Sequence, residues 1–166
     1  YRWGASETAS PPASLELVGR ADDAAQLEQL LADSALVTIV GPGGAGKTTI
    51  ARRLAAAYRD AQDGLTFVEL ADVSAPDAVI PAIAMEAGTQ TATDDERAAL
   101  DTLAGLDGLL VLDNCEHLIE RVAVIVQELL HRDGPVRILA TSRERLGVSG
   151  EQVFSLAPLS PPAARE

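Results

Sequence analysis

With 166 residues, the chain has the size of one α/β domain, and 47% apolar residues are enough to fill a core although aromatics make up only 3%. A formal charge of −12 and an isoelectric point near 4.5 describe a surface that repels nucleic-acid phosphates, which argues against a direct grip on DNA or RNA. One Cys excludes an internal disulfide, no apolar run reaches the roughly 18 residues of a membrane span, and the N-terminus lacks an apolar signal core; the expectation is a soluble cytoplasmic domain with no membrane partner.

Residues 1–14 are small, polar and proline-bearing, and read as a linker or tag-like tail in which Trp3 is a mobile terminal aromatic. A domain over 15–160 follows. Val18-Gly19-Arg20 reads, taken alone, as a turn that starts a helix in which Leu27, Leu30 and Leu31 recur at helical spacing behind Asp22 and Asp23. Leu36–Val40 is β-branched and apolar, a buried strand. Gly41-Pro42-Gly43-Gly44-Ala45-Gly46-Lys47-Thr48 then fits G-x-x-x-x-G-K-[ST], and Thr49–Tyr58 is alanine-rich and helix-forming. Further strands are expected over Gly64–Leu70, Gly108–Asp113, Val136–Thr141 and Glu151–Leu156. Helices are expected near Asp77–Ala87, where Pro81 counts against a straight one, over Asp94–Ala104 and over His117–His131. Strands alternating with helices predict an α/β fold with a parallel sheet covered on both sides. Residues 161–166 read as the start of a following helical region.

A strand, a glycine loop and a helix in that order suit phosphate binding. Gly43, Gly44, Ala45 and Gly46 can turn backbone N–H groups toward phosphate oxygens, and the helix aims its positive end at the same anion. Lys47 can reach the β- and γ-phosphates, and Thr48, followed by Thr49, can ligate Mg²⁺. An acid at the end of a neighbouring strand must complete the metal seat. Asp113 ends the most apolar strand and fits that role, with a helix cap as the other reading. Glu116 is the candidate base that orients water, or else a first-turn acid beside a helix dipole. Cys115 reads as a small buried thiol and His117 as a helix-start residue. Arg143, at the end of the fourth strand, can contact a γ-phosphate, or pair on the surface with Glu144 or Glu151.

Taken together, Leu17-Val18-Gly19-Arg20, G-P-G-G-A-G-K-T, F-V-E-L-A-D, L-L-V-L-D-N-C-E-H, L-A-T-S-R-E-R-L-G and F-S-L-A-P-L-S-P-P occur in this order. Over Leu15–Pro162 the chain resembles the nucleotide-binding domain of signal-transduction ATPases (STAND class, NB-ARC-like), particularly that of bacterial LuxR- and SARP-type transcriptional regulators. The resemblance implies an AAA-like P-loop NTPase with a five-stranded parallel sheet sandwiched between helices, the Arg143 strand lying between the P-loop strand and the Asp113 strand. It implies that ATP or ADP binds with Mg²⁺, that Val18, Gly19 and Arg20 lie against adenine and ribose, and that Arg143 senses the γ-phosphate. Catalysis would fall to Lys47, Asp113, Glu116 and Arg143, giving slow ATP hydrolysis that switches a regulator. Self-association in the ATP state, and DNA contact only through fused domains, are further implications. Asn114 departs from the family, many of whose members carry a second acid there; it favours the rival reading, a binding-only module with negligible turnover that acts as an interaction platform. The helical lid and winged-helix elements of the family are not in these residues. No L-S-G-G-Q or N-K-x-D sequence supports a transport ATPase or a GTPase.

Overall fold

The computed structural model describes residues 20–61, 64–89 and 95–158. The expected tail over 1–14, Val18 and Gly19, and the expected helical start at 161–166 lie outside the described residues. Five strands form: β1 (Leu36–Val40), β2 (Leu65–Glu69), β3 (Leu109–Asp113), β4 (Arg137–Ser142) and β5 (Gln152–Ser155). They make one sheet in the order β2-β3-β4-β1-β5, with every neighbouring pair parallel. The expected α/β sandwich and the place of β4 between β1 and β3 are thus observed.

Helices α1 (Ala21–Asp33), α2 (Lys47–Ala61), α3 (Val79–Glu86), α4 (Glu96–Ala104) and α5 (Ile119–His131) cover the sheet. Alternation along each strand divides the core in two. Leu110, Leu112, Ile138 and Ala140 pack with Ile83, Leu103, Ile125 and Leu129 of α3, α4 and α5. Leu109, Val111, Val37, Ile39 and Leu139 pack with Leu27, Leu31, Ile50 and Leu54 of α1 and α2. A strand buried on both faces needs apolar side chains at every position, which is why β3 reads as an unbroken apolar run until Asp113.

Three helix boundaries differ from the sequence expectation. The segment at Asp77 starts as a 3₁₀ turn, Pro76–Ala78, so that Pro81 falls in the first turn of α3, where a missing N–H removes no intrahelical bond. Asp95 caps α4 by accepting from the Arg97 amide at 3.0 Å, so the helix begins at Glu96. The segment at His117 opens as a second 3₁₀ turn, Glu116–Leu118, without a side-chain cap, and α5 proper starts at Ile119.

Because all strands run the same way, their C-terminal ends share one edge. The loops after β1, β3 and β4 meet there. The register pairs Val40 with Ser142 and Leu112 with Ala140, which sets Asp113 beside Thr141.

Candidate functional site

The loop between β1 and α2 is shaped by its glycines. Gly44 and Gly46 take φ of 79° and 90°, a backbone region that side chains disfavour. Gly41 is required by crowding, since a Cβ there would lie 2.6 Å from the Leu156 carbonyl oxygen. The Ala45 amide turns back to the Pro42 carbonyl at 3.2 Å, and α2 then starts at Lys47. Lys47 is 6% exposed and donates its ammonium protons to the carbonyls of Gly41 (2.7 Å) and Pro42 (2.9 Å).

This loop forms one wall of a cavity of about 640 Å³. Gly43 to Thr49, Arg20, Asn114, Glu116 and Arg143 line it, so most of the residues singled out in the sequence meet at one place. Three lining residues were missed: Ile50, Arg53 and Pro158. Arg53 stands four residues after Thr49 on α2, on the same helical face, and that spacing is a signal the sequence does carry. In a chain of charge −12, four cations (Arg20, Lys47, Arg53 and Arg143) against one acid, Glu116, among the described residues give the cavity a local preference for anions.

Asp113 lies behind this wall rather than on it. It is 1% exposed, and Thr48 Oγ1 lies 3.1 Å and 3.0 Å from its two carboxylate oxygens. Thr141 Oγ1 donates to the same carboxylate at 2.6 Å. Asp113 caps no helix: the 3₁₀ turn that follows has no side-chain cap. The helix-cap reading of Asp113 is therefore not what the structure shows; the carboxylate lies beside Thr48 instead. Thr141 was not singled out from the sequence, although a polar residue closing an apolar buried strand is the same signal that drew attention to Asp113.

Asn114 is held at φ 61°, where its amide donates to Thr141 Oγ1 at 3.0 Å. Asn tolerates this left-handed conformation better than most residues, which gives a backbone reason for its presence. Glu116 has one buried carboxylate oxygen, Oε2, with no hydrogen-bond partner among the described residues, and its Oε1 lies 3.9 Å from Arg143 Nε. Arg143 is 67% exposed, and its guanidinium lies over Gly43, where an added Cβ would be 3.1 Å from Nη2. Its expected surface partner Glu151 is engaged elsewhere, accepting from Thr38 and from the amides of Leu146 and Gly147.

Arg20 donates to Asp23, to the Ala45 carbonyl (2.9 Å) and to the Ala157 carbonyl (2.6 Å), tying the glycine loop to the segment after β5. Cys115 is buried, and burial first, then the nearby Glu116 and Asp113 carboxylates, pushes its thiol pKa up, so it is no nucleophile. His117 Nε2 lies 2.8 Å from the Val73 carbonyl oxygen.

The residues suit a hard cation beside phosphate. Thr48 and Asp113 supply oxygen donors already in contact, and Glu116, whose Oε2 is buried without a partner among the described residues, is one of the residues lining the same cavity. Among the described residues no helix is long and apolar enough to cross a membrane.

A family model described as an AAA domain matches residues 31–146. A Mycobacterium tuberculosis protein, whose name provisionally places it among HTH-type transcriptional regulators, is 39% identical over 138 residues. The match covers 81% of this chain but only 15% of that relative's length. Among solved structures, Drosophila ORC bound to DNA is similar with a TM-score of 0.70 at 15% identity, over 87% of this chain and 45% of that one. Cdc6p from Pyrobaculum aerophilum gives a TM-score of 0.64 at 18% identity, over 91% and 48%. At these identities the structural likeness speaks for the P-loop ATPase fold alone.

Proposed function

This chain belongs to the AAA domain family of P-loop ATPases, and we propose that it is the ATP-binding, slowly hydrolysing switch domain of a bacterial transcriptional regulator. The finer class is that of the STAND, NB-ARC-like ATPases of LuxR- and SARP-type regulators, on the strength of the ordered motifs from Leu17 to Pro162. A relative named as an HTH-type regulator supports the same setting. In this reading residues 15–160 form the nucleotide-binding domain, DNA contact belongs to fused domains, and the ATP state favours self-association.

One observation carries the reading: the glycine loop, the Thr48–Asp113 contact and Arg143 all meet at one cavity edge. The amides of Gly43 to Gly46 bind the phosphates. Lys47 exchanges its two loop carbonyls for β- and γ-phosphate oxygens, which replaces neutral acceptors with charged ones. Thr48 and Asp113 hold Mg²⁺, whose charge, when bound, neutralises that on the β- and γ-phosphates. Glu116, which lines the cavity, orients the attacking water. Arg143, lying over Gly43, reports whether a γ-phosphate is present. Arg20, with Val18 and Gly19, holds the nucleoside end.

Calorimetric titration with ATP tests the binding step. Lys47→Ala should weaken affinity at least about tenfold, as expected for the loss of a charge-assisted contact of ~1.5 kcal/mol; an unchanged affinity overturns the assignment. Phosphate release by the wild type against Asp113→Ala tests turnover. Release no higher than that of the variant returns the domain to a binding-only module.

A further inference from the structure

We propose that Thr141 is a positioning residue for the Asp113 carboxylate; the inference rests on the reading of Asp113 as the metal-holding acid. Thr141 is fully buried and makes three hydrogen bonds to the turn that leaves β3. Its carbonyl accepts from the Cys115 amide at 2.9 Å. Its hydroxyl oxygen accepts from the Asn114 amide at 3.0 Å and lies 2.6 Å from Asp113 Oδ1.

The polarity of this chain is fixed. A backbone N–H can only donate, so the Thr141 oxygen accepts from Asn114. An ionised carboxylate can only accept, so the one hydroxyl proton goes to Asp113 Oδ1. Thr48 Oγ1, 3.1 Å and 3.0 Å from the two carboxylate oxygens, addresses the group from the P-loop side. The carboxylate is therefore held between α2 and β4. A partner that donates to a metal-ligating carboxylate fixes which oxygen is free and in what direction it points. Two residues beyond Thr141, the same chain carries Arg143 over Gly43.

The test is calorimetric titration of this chain with β,γ-methylene-ATP, in EDTA and in Mg²⁺. Thr141→Val should bind the metal-free nucleotide within about twofold of wild type yet lose about tenfold of the affinity gained on adding Mg²⁺, and Thr141→Ser should restore it. A valine variant with the full Mg²⁺ gain, or a serine variant that fails to restore it, overturns the proposal. Asp113→Asn separates the two levels: if it keeps the gain, the metal-seat reading itself fails. If it loses the gain while Thr141→Val keeps it, only the role of Thr141 fails. Should the valine variant not fold, NMR on the wild type decides. The Asn114 amide resonance should move when Mg²⁺ is added to the nucleotide-saturated protein, and a stationary resonance refutes the link.

Discussion

Replacing Glu151 with Ala should cost far more stability than a half-exposed acid ordinarily would. Its Oε2 accepts from Thr38 Oγ1 at 2.7 Å and from the Leu146 amide at 2.8 Å, while Oε1 accepts from the Gly147 amide at 3.1 Å. Thr38 is fully buried in β1, between β4 and β5, so its hydroxyl has no water to turn to. Leaving that group unpaired costs ~1–3 kcal/mol. The amide of buried Leu146 adds ~1 kcal/mol, and that of exposed Gly147 finds solvent and adds little. The expected loss for Glu151→Ala is therefore ~2–4 kcal/mol, read as a fall in the urea midpoint followed by circular dichroism.

A second substitution isolates the contribution of the Thr38 hydroxyl. Thr38→Val removes the hydroxyl that Glu151→Ala would orphan, at nearly constant volume. The double variant should then be more stable than Glu151→Ala alone by ~1–2 kcal/mol, a negative coupling that independent sites do not show. If the double variant instead loses the sum of the two single losses, the orphaned hydroxyl is not the source of the cost. The consequence reaches function, because the loop pinned by Glu151 at Leu146 and Gly147 begins at Arg143.

Cys115 supplies a pH test. Its folded thiol pKa is raised, so the folded state holds the thiol proton more tightly than the unfolded chain does, and the associated stability is present below the unfolded thiol value of about 8.5 and is lost as pH rises beyond it. The urea midpoint should fall more steeply between about pH 8 and pH 10 in the wild type than in Cys115→Ala, and equal slopes refute the shift. Gly41→Ala should destabilise by ~1–3 kcal/mol through overpacking, because its Cβ would press on the Leu156 carbonyl 2.6 Å away while the Leu156 amide is held to Val40 at 2.7 Å; an unchanged melting temperature contradicts the crowding. Arg143→Ala should weaken ATP about tenfold more than ADP, the size of one lost charge-assisted contact, and parallel calorimetric titrations that show equal losses remove it from γ-phosphate sensing.

The architecture was legible because burial on both faces leaves a plain imprint. Runs such as Leu109–Leu112 have no polar interruption, and glycines at φ that other residues avoid punctuate the loop before α2. The ends of α3, α4 and α5 were less legible because they depend on local bonds, such as the Asp95 cap, that compete with alternatives of nearly equal energy. In the candidate site, the residues that announce themselves are those whose chemistry is rare, Lys47 after glycines and Asp113 after a purely apolar strand. Thr141 carries the same strand-end signal as Asp113, but its role is lateral. It depends on β4 lying beside β3 in a register that sets residue 141 next to residue 113, a relation across 28 positions of chain that no periodicity encodes. The same holds for Asn114. By composition it looks like a lost acid, but in the fold it is the residue whose left-handed backbone turns its amide onto Thr141. An acid at that position would have to adopt the same strained turn and would bring a second carboxylate beside Asp113, in a cavity whose lining already includes Glu116.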